Sequence, residues 1–234
     1  MKVHAVILAG GKGERAGFDT PKQFVDIAGE PLIVKTLRRF NNHGRIDSII
    51  VASPEEYINK INDIFASCNI SKALKAVQGG AARQESAFKA LSSLDCADND
   101  IVLIHDAARP FCDDELISRV IDAAAVAGAA EPVIPVTDTV ARIDRNKNIE
   151  SVLDRNSLVQ CQTPQGFRFN IIMDAHKNAI AGGISAGDDI TLVLENGGSA
   201  AAVDGNIKNM KVTSRLDFII AEAIASDSEN GVPL

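Results

Sequence analysis

The sequence predicts an α/β protein built on a mostly parallel, twisted sheet with helices on its faces. Short apolar runs alternate with segments of helical period along the first half of the chain, an arrangement typical of parallel strands joined by crossover helices. The first run, Val3 to Leu8, is apolar except at His4, as expected for a strand buried on both faces. With 234 residues and 46% hydrophobic content, we expect one domain over 1–234.

The remaining elements follow from the period of the apolar residues. Helical spacing predicts helices over 31–40, 57–66, 83–94, 113–130, 169–181, 188–196 and 217–225. Apolar runs predict further strands over 47–52, 73–77, 101–104, 131–136 and 200–203. In the first of these helices, for example, Leu32, Leu37 and Phe40 share one face, and the asparagines at 41 and 42 end it.

The segment from about 139 to 162 has a different pattern. Apolar and polar residues alternate with a period of two on either side of Asn146-Lys147-Asn148, which predicts two antiparallel strands in a protruding β-hairpin arm, with Arg155 on the returning strand. Because an isolated hairpin is marginally stable in water, we expect this arm to pack on a second copy of the chain in a homodimer.

Composition excludes several classes of function. The net charge of -7 and the pI near 5.1 provide no overall basic field for nucleic acid or an anionic membrane. The longest apolar runs are too short for a membrane helix, and the N-terminus lacks a signal-peptide pattern, so we expect a cytoplasmic protein. The four cysteines are scattered without metal-binding spacing, which predicts reduced structural thiols.

A glycine-rich loop follows the first strand. The stretch LAGGKGERAG, and then TPKQF, places glycines, Arg15 and Lys22 where backbone amides and two cations can face a polyphosphate. The spacing differs from the dinucleotide fingerprint, because residue 16 is Ala, and the Gly-Lys-Ser/Thr of a Walker loop is missing. The alternative interpretation is a plain strand-to-helix turn with both cations solvated.

Two further strand ends carry candidate site residues. Gly79 and Gly80 follow a predicted strand and precede a helix that begins near Arg83 and Ser86. Because ligands bind outside such strand ends in open α/β sheets, these residues are candidates for a ligand site. The alternative is a Gly-Gly turn followed by a capped helix. Asp106 ends a central strand, where it is a candidate ligand for a metal ion or a cap for the next turn. His105 beside it is a candidate base, although a lone histidine here is more typical of the hydrogen-bonded core.

Eight motifs in order carry a resemblance to one family over nearly the whole chain. They are LAGGKGERAG, PKQF, GGAARQES, HDAARPF, TDTV, DRNSL, QTPQGFR and NMKVT. Together they resemble the 2-C-methyl-D-erythritol 4-phosphate cytidylyltransferases of the non-mevalonate isoprenoid pathway. The resemblance implies a Rossmann-like nucleotidyltransferase fold and transfer of CMP from CTP to the sugar phosphate, with Mg²⁺ and release of pyrophosphate.

The same resemblance implies roles for single residues. The amides of Ala9, Gly10, Gly11 and Gly13 would hold the CTP phosphates, with Arg15 and Lys22 on the α-phosphate and Lys211 near both phosphates. Cytosine and ribose would face Gly79, Gly80 and Ser86, with Arg83 supporting that turn, and Mg²⁺ would lie at Asp106. The acceptor would contact Thr139, Asp106, Arg109, Asp188 and, from the partner subunit, the residue equivalent to Arg155.

Two departures keep other functions open. Gly187 stands where family members usually have a threonine, and LAGG is common in the related pentitol-phosphate enzymes, so a ribitol-5-phosphate cytidylyltransferase is an alternative. HDAARP and DRNSL favour the erythritol-phosphate branch. A non-catalytic nucleotide-binding module is a further alternative, against which Arg15 and Lys22 argue, because a binder needs neither cation at a reaction centre.

Overall fold

A computed structural model describes residues 1–11 and 20–230. Its strands are β1 (Val3–Leu8), β2 (Asp26–Ile27), β3 (Glu30–Pro31), β4 (Ser48–Ser53), β5 (Ala73–Gln78), β6 (Ile101–Asp106), β7 (Ala129–Pro135), β8 (Ala141–Ile143), β9 (Ile149–Val152), β10 (Val159–Cys161), β11 (Gln165–Arg168) and β12 (Ala201–Asp204). Its α-helices are α1 (Leu32–Asn42), α2 (Ile58–Ser67), α3 (Arg83–Ser92), α4 (Asp114–Ala127), α5 (Phe169–Gly182), α6 (Asp189–Glu195) and α7 (Arg215–Asn230). The predicted alternation of strands and helices is confirmed.

The central sheet has eight strands within the described residues. Its order is β10-β7-β11-β6-β1-β4-β5, and β12 also pairs with β7. Strands β6, β1, β4 and β5 pair in parallel, whereas β11 runs antiparallel to both β6 and β7. The sheet is therefore mixed and mostly parallel, with its two central strands, β1 and β6, buried at every position.

Helices cover both faces of this sheet. On one face, α1, α2 and α4 pack on alternate strand residues such as Ala5 and Ile7. On the other face, α3, α5 and α6 pack on residues of the opposite parity, such as Val6 and Ile104. Because helices cover both faces, both sets of alternate residues in the central strands are mostly apolar. A third cluster joins α7 to the short β2–β3 hairpin.

The helix predicted over 113–130 was too long. Asp113 caps α4 by accepting a hydrogen bond from the Leu116 amide at 2.7 Å, but Gly128 ends the helix with φ of 87°. The chain enters β7 directly at Ala129. A helical C-cap glycine with positive φ stops the helix even though alanines continue on both sides of it.

The predicted hairpin forms, but it is shorter than predicted. Strands β8 and β9 pair as a separate two-stranded sheet around a turn in which Lys147 has φ of 67°. Arg155 does not lie on the returning strand, which was a wrong prediction, because Asp154 accepts the Asn156 amide and begins a 3-10 turn over Arg155–Ser157. The chain then returns to the central sheet as β10, which pairs with β7.

None of the helices in the described ranges, 1–11 and 20–230, combines the length and apolar character that crossing a membrane requires.

Candidate active site

The carboxyl ends of three neighbouring strands meet at one edge of the sheet. Leu8, the last residue of β1, pairs with Asp106, the last residue of β6. On the other side, the Gly79 amide donates to the carbonyl of Ser53 at the end of β4. The loops that follow β1, β5 and β6 are therefore adjacent, as expected for a ligand site in an open α/β sheet.

These loops enclose a cleft of about 250 Å³. The cleft is lined by Leu8, Gly10, Gly11, Lys22, Gly80, Ala81, Ala82, Arg83, Ser86, Asp106, Ala108 and Lys211. A second hollow of about 830 Å³ shares Gly10, Gly11, Gly80 and Ser86 with it and extends past Tyr57 and Gln78. Residues from five of the quoted motifs thus line a single surface.

Asp106 lies among three cations. Its carboxylate is 2.7 Å from Lys211 Nζ, 3.7 Å from Arg83 Nε and 3.9 Å from Arg109 Nε. Burial alone would raise the pKa of Asp106, but Lys211, Arg83 and Arg109 outweigh it and lower the pKa to about 2. Asp106 is consequently an anion throughout the physiological pH range.

The lysines of the cleft are held by the segment before α7. The buried side chain of Asn209 donates to the Thr163 carbonyl at 2.8 Å, and the Val212 amide donates to the Ala108 carbonyl at 2.8 Å. These two anchors fix Lys211, which lies between them, beside Asp106. Lys22 Nζ in turn donates to the Val212 carbonyl at 2.9 Å, so the same segment positions both lysines at the cleft.

Arg83 connects the cleft to a buried ionic network. Its Nη1 donates to Asp189 at 2.5 Å, and Asp189, which is fully buried, also accepts from Nε2 of His176 at 3.0 Å. Burial lowers the pKa of Arg83, but the carboxylates of Asp189 and Asp106 outweigh it, and the pKa is raised. Arg83 is therefore a fixed cation that supports Asp106 from the side of α3 and α6.

The two glycine pairs serve different purposes. A Cβ on Gly79 would come within 2.9 Å of Ser86 Oγ, and a Cβ on Gly80 would overlap the Glu85 side chain. The protein's own packing thus requires these glycines. At Gly10 and Gly11 a Cβ would meet its nearest neighbours at 3.9 and 3.8 Å, ordinary contact distances, so glycine there leaves open the space of the cleft, where a ligand can approach the backbone.

His105 belongs to the core, as the sequence favoured, and is not placed to act as a base. Its Nε2 lies 3.0 Å from the Arg109 carbonyl, which can only accept, so Nε2 carries the proton. Its Nδ1 therefore accepts from the Thr163 hydroxyl at 2.9 Å, and Thr163 Oγ1 accepts from the Asp106 amide. Burial lowers the pKa of His105 to about 4. The histidine orients the loop that carries Asp106.

Several predicted site residues lie outside the lining of the cleft. The Ala9 amide donates to the Ala52 carbonyl at 2.8 Å, so it is not available to a phosphate, whereas Gly10 and Gly11 line the cleft. Arg109 donates to the Asn209 carbonyl, and Asp188 caps α6 through the Thr191 amide. Thr139 and Arg155 are exposed, and Arg155 donates to the Thr137 carbonyl. Gly13 and Arg15 lie outside the described residues.

Sequence reasoning missed the residues that hold the site from behind. These residues are Thr163, Gln165, His176, Asp189 and Asn209, all of them buried polar side chains. Thr163 and Gln165 lie in QTPQGFR and Asn209 lies in NMKVT, two motifs that carry the resemblance, and two acids open the helix of Asp189, but no role was predicted for any of these side chains. His176 had no signal in the sequence, because its partner Asp189 is on another helix.

Comparisons with known proteins point to one family. The family model described as 2-C-methyl-D-erythritol 4-phosphate cytidylyltransferase matches residues 3–227. The chain is 38% identical over 225 residues to the enzyme of that name from Geobacillus thermodenitrificans, covering 96% of this chain and 97% of the relative. It is 40% identical over 220 residues to a "Bifunctional enzyme IspD/IspF" of Rhodopseudomonas palustris, covering 94% of this chain but only 54% of that protein.

Solved structures agree with this similarity. The fold resembles the crystal structure of 4-diphosphocytidyl-2C-methyl-D-erythritol synthase from Anaerococcus prevotii with a TM-score of 0.84 and 27% identity, covering 96% of this chain and 98% of that one. It resembles 2-C-methyl-D-erythritol 4-phosphate cytidylyltransferase from Thermus thermophilus with a TM-score of 0.78 and 32% identity, covering 97% and 100% of the two chains.

Proposed function

This chain belongs to the 2-C-methyl-D-erythritol 4-phosphate cytidylyltransferase family and is a nucleotidyltransferase, and from that premise we propose how it acts. It transfers CMP from CTP to 2-C-methyl-D-erythritol 4-phosphate, forming CDP-methylerythritol and pyrophosphate for isoprenoid precursor synthesis. The observation that carries this proposal is the cleft at the ends of β1 and β6, where Lys211 and Arg83 lie beside Asp106 and where Lys22, Gly10 and Gly11 line the same surface.

The proposed reaction needs no protein nucleophile. A phosphate oxygen of the acceptor attacks the α-phosphorus of CTP, a new phosphorus–oxygen bond forms, and the bond to the β-phosphate oxygen breaks as pyrophosphate leaves. The acceptor phosphate is ionised at neutral pH, so positioning and charge neutralisation carry the catalysis. Lys22 and Lys211 stabilise the negative charge that grows on the α-phosphate, and Arg15, outside the described residues, is proposed to do the same.

The donor set is suitable for Mg²⁺, which the family implies. Mg²⁺ typically takes one or two protein carboxylates and completes its shell with water and substrate phosphates, and Asp106 offers one ionised carboxylate at the cleft. Bound there, Mg²⁺ would neutralise phosphate charge and orient the triphosphate. Since Lys211 is 42% exposed at its side chain, it can move from Asp106 to a phosphate oxygen when the substrates bind.

We extend the proposal to the base, the acceptor and the assembly. Cytosine and ribose are assigned to the second hollow beside Gly79, Gly80 and Ser86, and the acceptor to the side of Arg109 and Asp188. Thr139 and the Arg155 of a twofold partner complete the acceptor site, which makes the active form a homodimer. The exposed apolar side chains of β8 and β9 support this assembly. A cytoplasmic location remains a prediction from the sequence.

An acceptor panel tests the activity. The protein is incubated with CTP and Mg²⁺, and pyrophosphate release is measured with 2-C-methyl-D-erythritol 4-phosphate, with D-ribitol 5-phosphate and without acceptor. We expect release with the erythritol phosphate, and much slower release when UTP or ATP replaces CTP. Lys177→Ala, which changes an exposed lysine of α5, serves as the control variant with normal turnover.

Each of the other outcomes of the acceptor panel would assign this protein a different function. Faster release with ribitol 5-phosphate would make this a pentitol-phosphate cytidylyltransferase, consistent with the open space around Gly187, where a Cβ would meet no atom of the described residues within 4 Å. Tight CTP binding without release for any acceptor would establish a non-catalytic nucleotide-binding module.

A further inference from the structure

Three side chains that can bind a metal ion meet at the opposite edge of the sheet from the cleft. They are His4 near the start of β1, Asp100 just before β6, and Cys96 in the loop after α3. One potential ligand atom from each lies within 4.8 Å of the other two. Within the described residues this is the only group of three or more histidine, cysteine or acidic side chains that lie close enough to share a cation.

His4 presents an unused ring nitrogen to this group. Its side chain is buried, and its Nε2 has no hydrogen-bond partner among the described residues. That nitrogen lies 3.8 Å from Asp100 Oδ2, too far for a hydrogen bond. An orphaned buried nitrogen is costly and unusual in a folded protein, and a bound cation would satisfy it.

The rest of the imidazole is arranged as in metal sites. His4 Nδ1 lies 2.7 Å from the buried hydroxyl of Ser48, which fixes the ring plane. When Nδ1 donates to this oxygen, Nε2 is left with its lone pair directed at the group; an oriented second nitrogen of this kind is the usual companion of a metal-bound histidine.

The carboxylate is equally well oriented. Asp100 accepts hydrogen bonds from the Lys2 amide at 2.7 Å and from the Ala97 amide at 2.9 Å, which hold it in place beside His4. Asp47, which accepts the Val3 amide, and Asp95 add negative charge to this edge. Cys96 is half-buried and free, so the group is open to solvent on the side of the thiol.

We propose that His4, Cys96 and Asp100 form a binding site for a thiophilic divalent transition-metal ion, with Zn²⁺ as the best match. Nitrogen, sulfur and oxygen ligands from three side chains plus one water complete a tetrahedral zinc shell. On binding, the Cys96 thiol releases one proton to solvent and the thiolate sulfur bonds to the metal. The three ligand atoms lie within 4.8 Å of one another, and ligand atoms around zinc lie roughly 3.3 to 3.8 Å apart, so each pair needs to approach by no more than about 1.5 Å.

This site is separate from the proposed reaction centre. His4 and Leu8 lie at opposite ends of β1, and four residues of strand span about 13 Å. The ion would clamp the first strand to the loops before β6, which gives it a structural role. Sequence spacing cannot reveal the group, because more than ninety residues separate His4 from Asp100, and only the pairing of β1 with β6 brings them together.

Metal titration of the tag-free protein tests the proposal. After removal of metals with a chelator, Zn²⁺ is titrated against a competing chromophoric chelator, and Co²⁺ is added separately to record absorption. We expect one equivalent of Zn²⁺ to bind, the thermal midpoint to rise, and Co²⁺ to show a thiolate charge-transfer band. Cys96→Ser and His4→Gln should each weaken Zn²⁺ binding at least about tenfold, and Cys96→Ser should remove the cobalt band.

Two controls separate this site from other metal binding. Cys68→Ser removes another half-buried free thiol and should leave both signals intact, and Asp106→Asn should leave them intact as well if the ion binds away from the cleft. Zinc binding with unchanged affinity in Cys96→Ser, or the absence of a bound equivalent in the wild type, would overturn the proposal. Since serine is nearly isosteric with cysteine, Cys96→Ser decides the matter even if His4→Gln folds poorly.

Discussion

At the residue scale, a locally positive cleft explains how an acidic protein can take a polyphosphate. Lys22, Arg83 and Lys211 line the cleft with Asp106 as the only carboxylate among its described lining residues, although the whole chain has a net charge of -7. The described lining residues thus carry more positive than negative charge, although Asp189 behind Arg83 offsets part of it. Close, partly buried charges of this kind act more strongly than the distant surface charges, which salt screens.

Lys22 supplies the first residue-scale prediction. Lys22→Ala should lower kcat by about 10² to 10³ with a smaller change in CTP affinity, because a cation aimed at developing charge stabilises the transition state more than the bound substrate. Steady-state kinetics with varied CTP measure both effects, and Lys177→Ala is the control. Unchanged kcat with weaker CTP binding would assign Lys22 a role in ground-state binding only.

Asp106 supplies the second residue-scale prediction. Asp106→Asn keeps the size of the side chain but removes the only carboxylate of the described cleft lining, so turnover should fall by about 10² or more, with partial recovery as Mg²⁺ is raised. Activity is measured over a range of Mg²⁺ concentrations. Asp63→Asn, an exposed carboxylate on α2, is the control. A variant with normal turnover and normal metal dependence would contradict the assignment.

We expect the buried His105 to make the free energy of unfolding depend on pH. Because burial lowers its pKa from 6.5 to about 4, the unfolded chain binds a proton in this range that the folded chain does not. Its contribution to stability is therefore complete above pH 6.5 and is lost as the pH falls toward 4, by about 3 kcal/mol in all. Urea unfolding of wild type and His105→Gln measures this.

The comparison between these two proteins isolates the histidine. The difference in their free energies of unfolding should shrink steadily between pH 6.5 and 4, since glutamine does not titrate. A difference that stays constant over this range would mean that the folded protein protonates His105 as readily as the unfolded chain does.

At the element scale, the strands that a local sequence pattern defines were predicted, and the strand that depends on packing between distant residues was not. The strands β1, β4, β5 and β6 are nearly as predicted because they are largely apolar runs between polar loops. Strand β11 was missed, because QGFR is neither alternating nor continuously apolar. It exists because Gly166 lets it lie close to α4, where a Cβ would come within 2.6 Å of Val120. That requirement belongs to tertiary packing.

The same division applies to the site. Motif glycines and Asp106 were predicted because strand ends and glycine pairs are visible in sequence, and the structure brings them to one cleft. The buried residues Asp189 and His176 were not predicted, because Asp189 matters through its contact with Arg83 and His176 through its contact with Asp189. Sequence thus identified the groups that line the cleft better than the buried groups that support them.

This network gives the element-scale prediction. Asp189→Asn removes the charge that faces Arg83 and His176, which should destabilise the protein by about 3 to 5 kcal/mol, because a partly buried cation is left without its main partner. Turnover should also fall, by about 10- to 100-fold, since Arg83 no longer holds its position against Asp106. Chemical unfolding and kinetics below the unfolding range measure the two effects.

The control variant for this prediction changes a residue in the same layer of helices, formed by α3, α5 and α6. Asp174→Asn changes a carboxylate of α5 that lies outside this network, and it should alter stability by less than about 0.5 kcal/mol. If Asp189→Asn behaved like Asp174→Asn in both measurements, the network would have no role in positioning Arg83.

At the scale of the whole molecule, the β8–β9 hairpin is the part that the single chain leaves unpartnered among the described strands. Its side chains Ile143, Ile149 and Val152 are 58%, 71% and 64% exposed, and the two strands pair with each other alone. An isolated hairpin with exposed apolar side chains is marginal in water. A twofold partner offering the same hairpin would cover both copies, because a twofold interface is self-complementary.

The proposed dimer predicts that active sites are shared between subunits. Lys22→Ala and Arg155→Ala are each expected to be inactive alone, and they are mixed in equal amounts under conditions that exchange subunits. If Arg155 acts across the interface, each mixed dimer contains one site with both residues intact, so about a quarter of wild-type activity should return. Native mass spectrometry of differently sized subunits confirms the exchange. Demonstrated exchange without recovery would mean that Arg155 serves its own subunit, where it already reaches the Thr137 carbonyl at 3.1 Å.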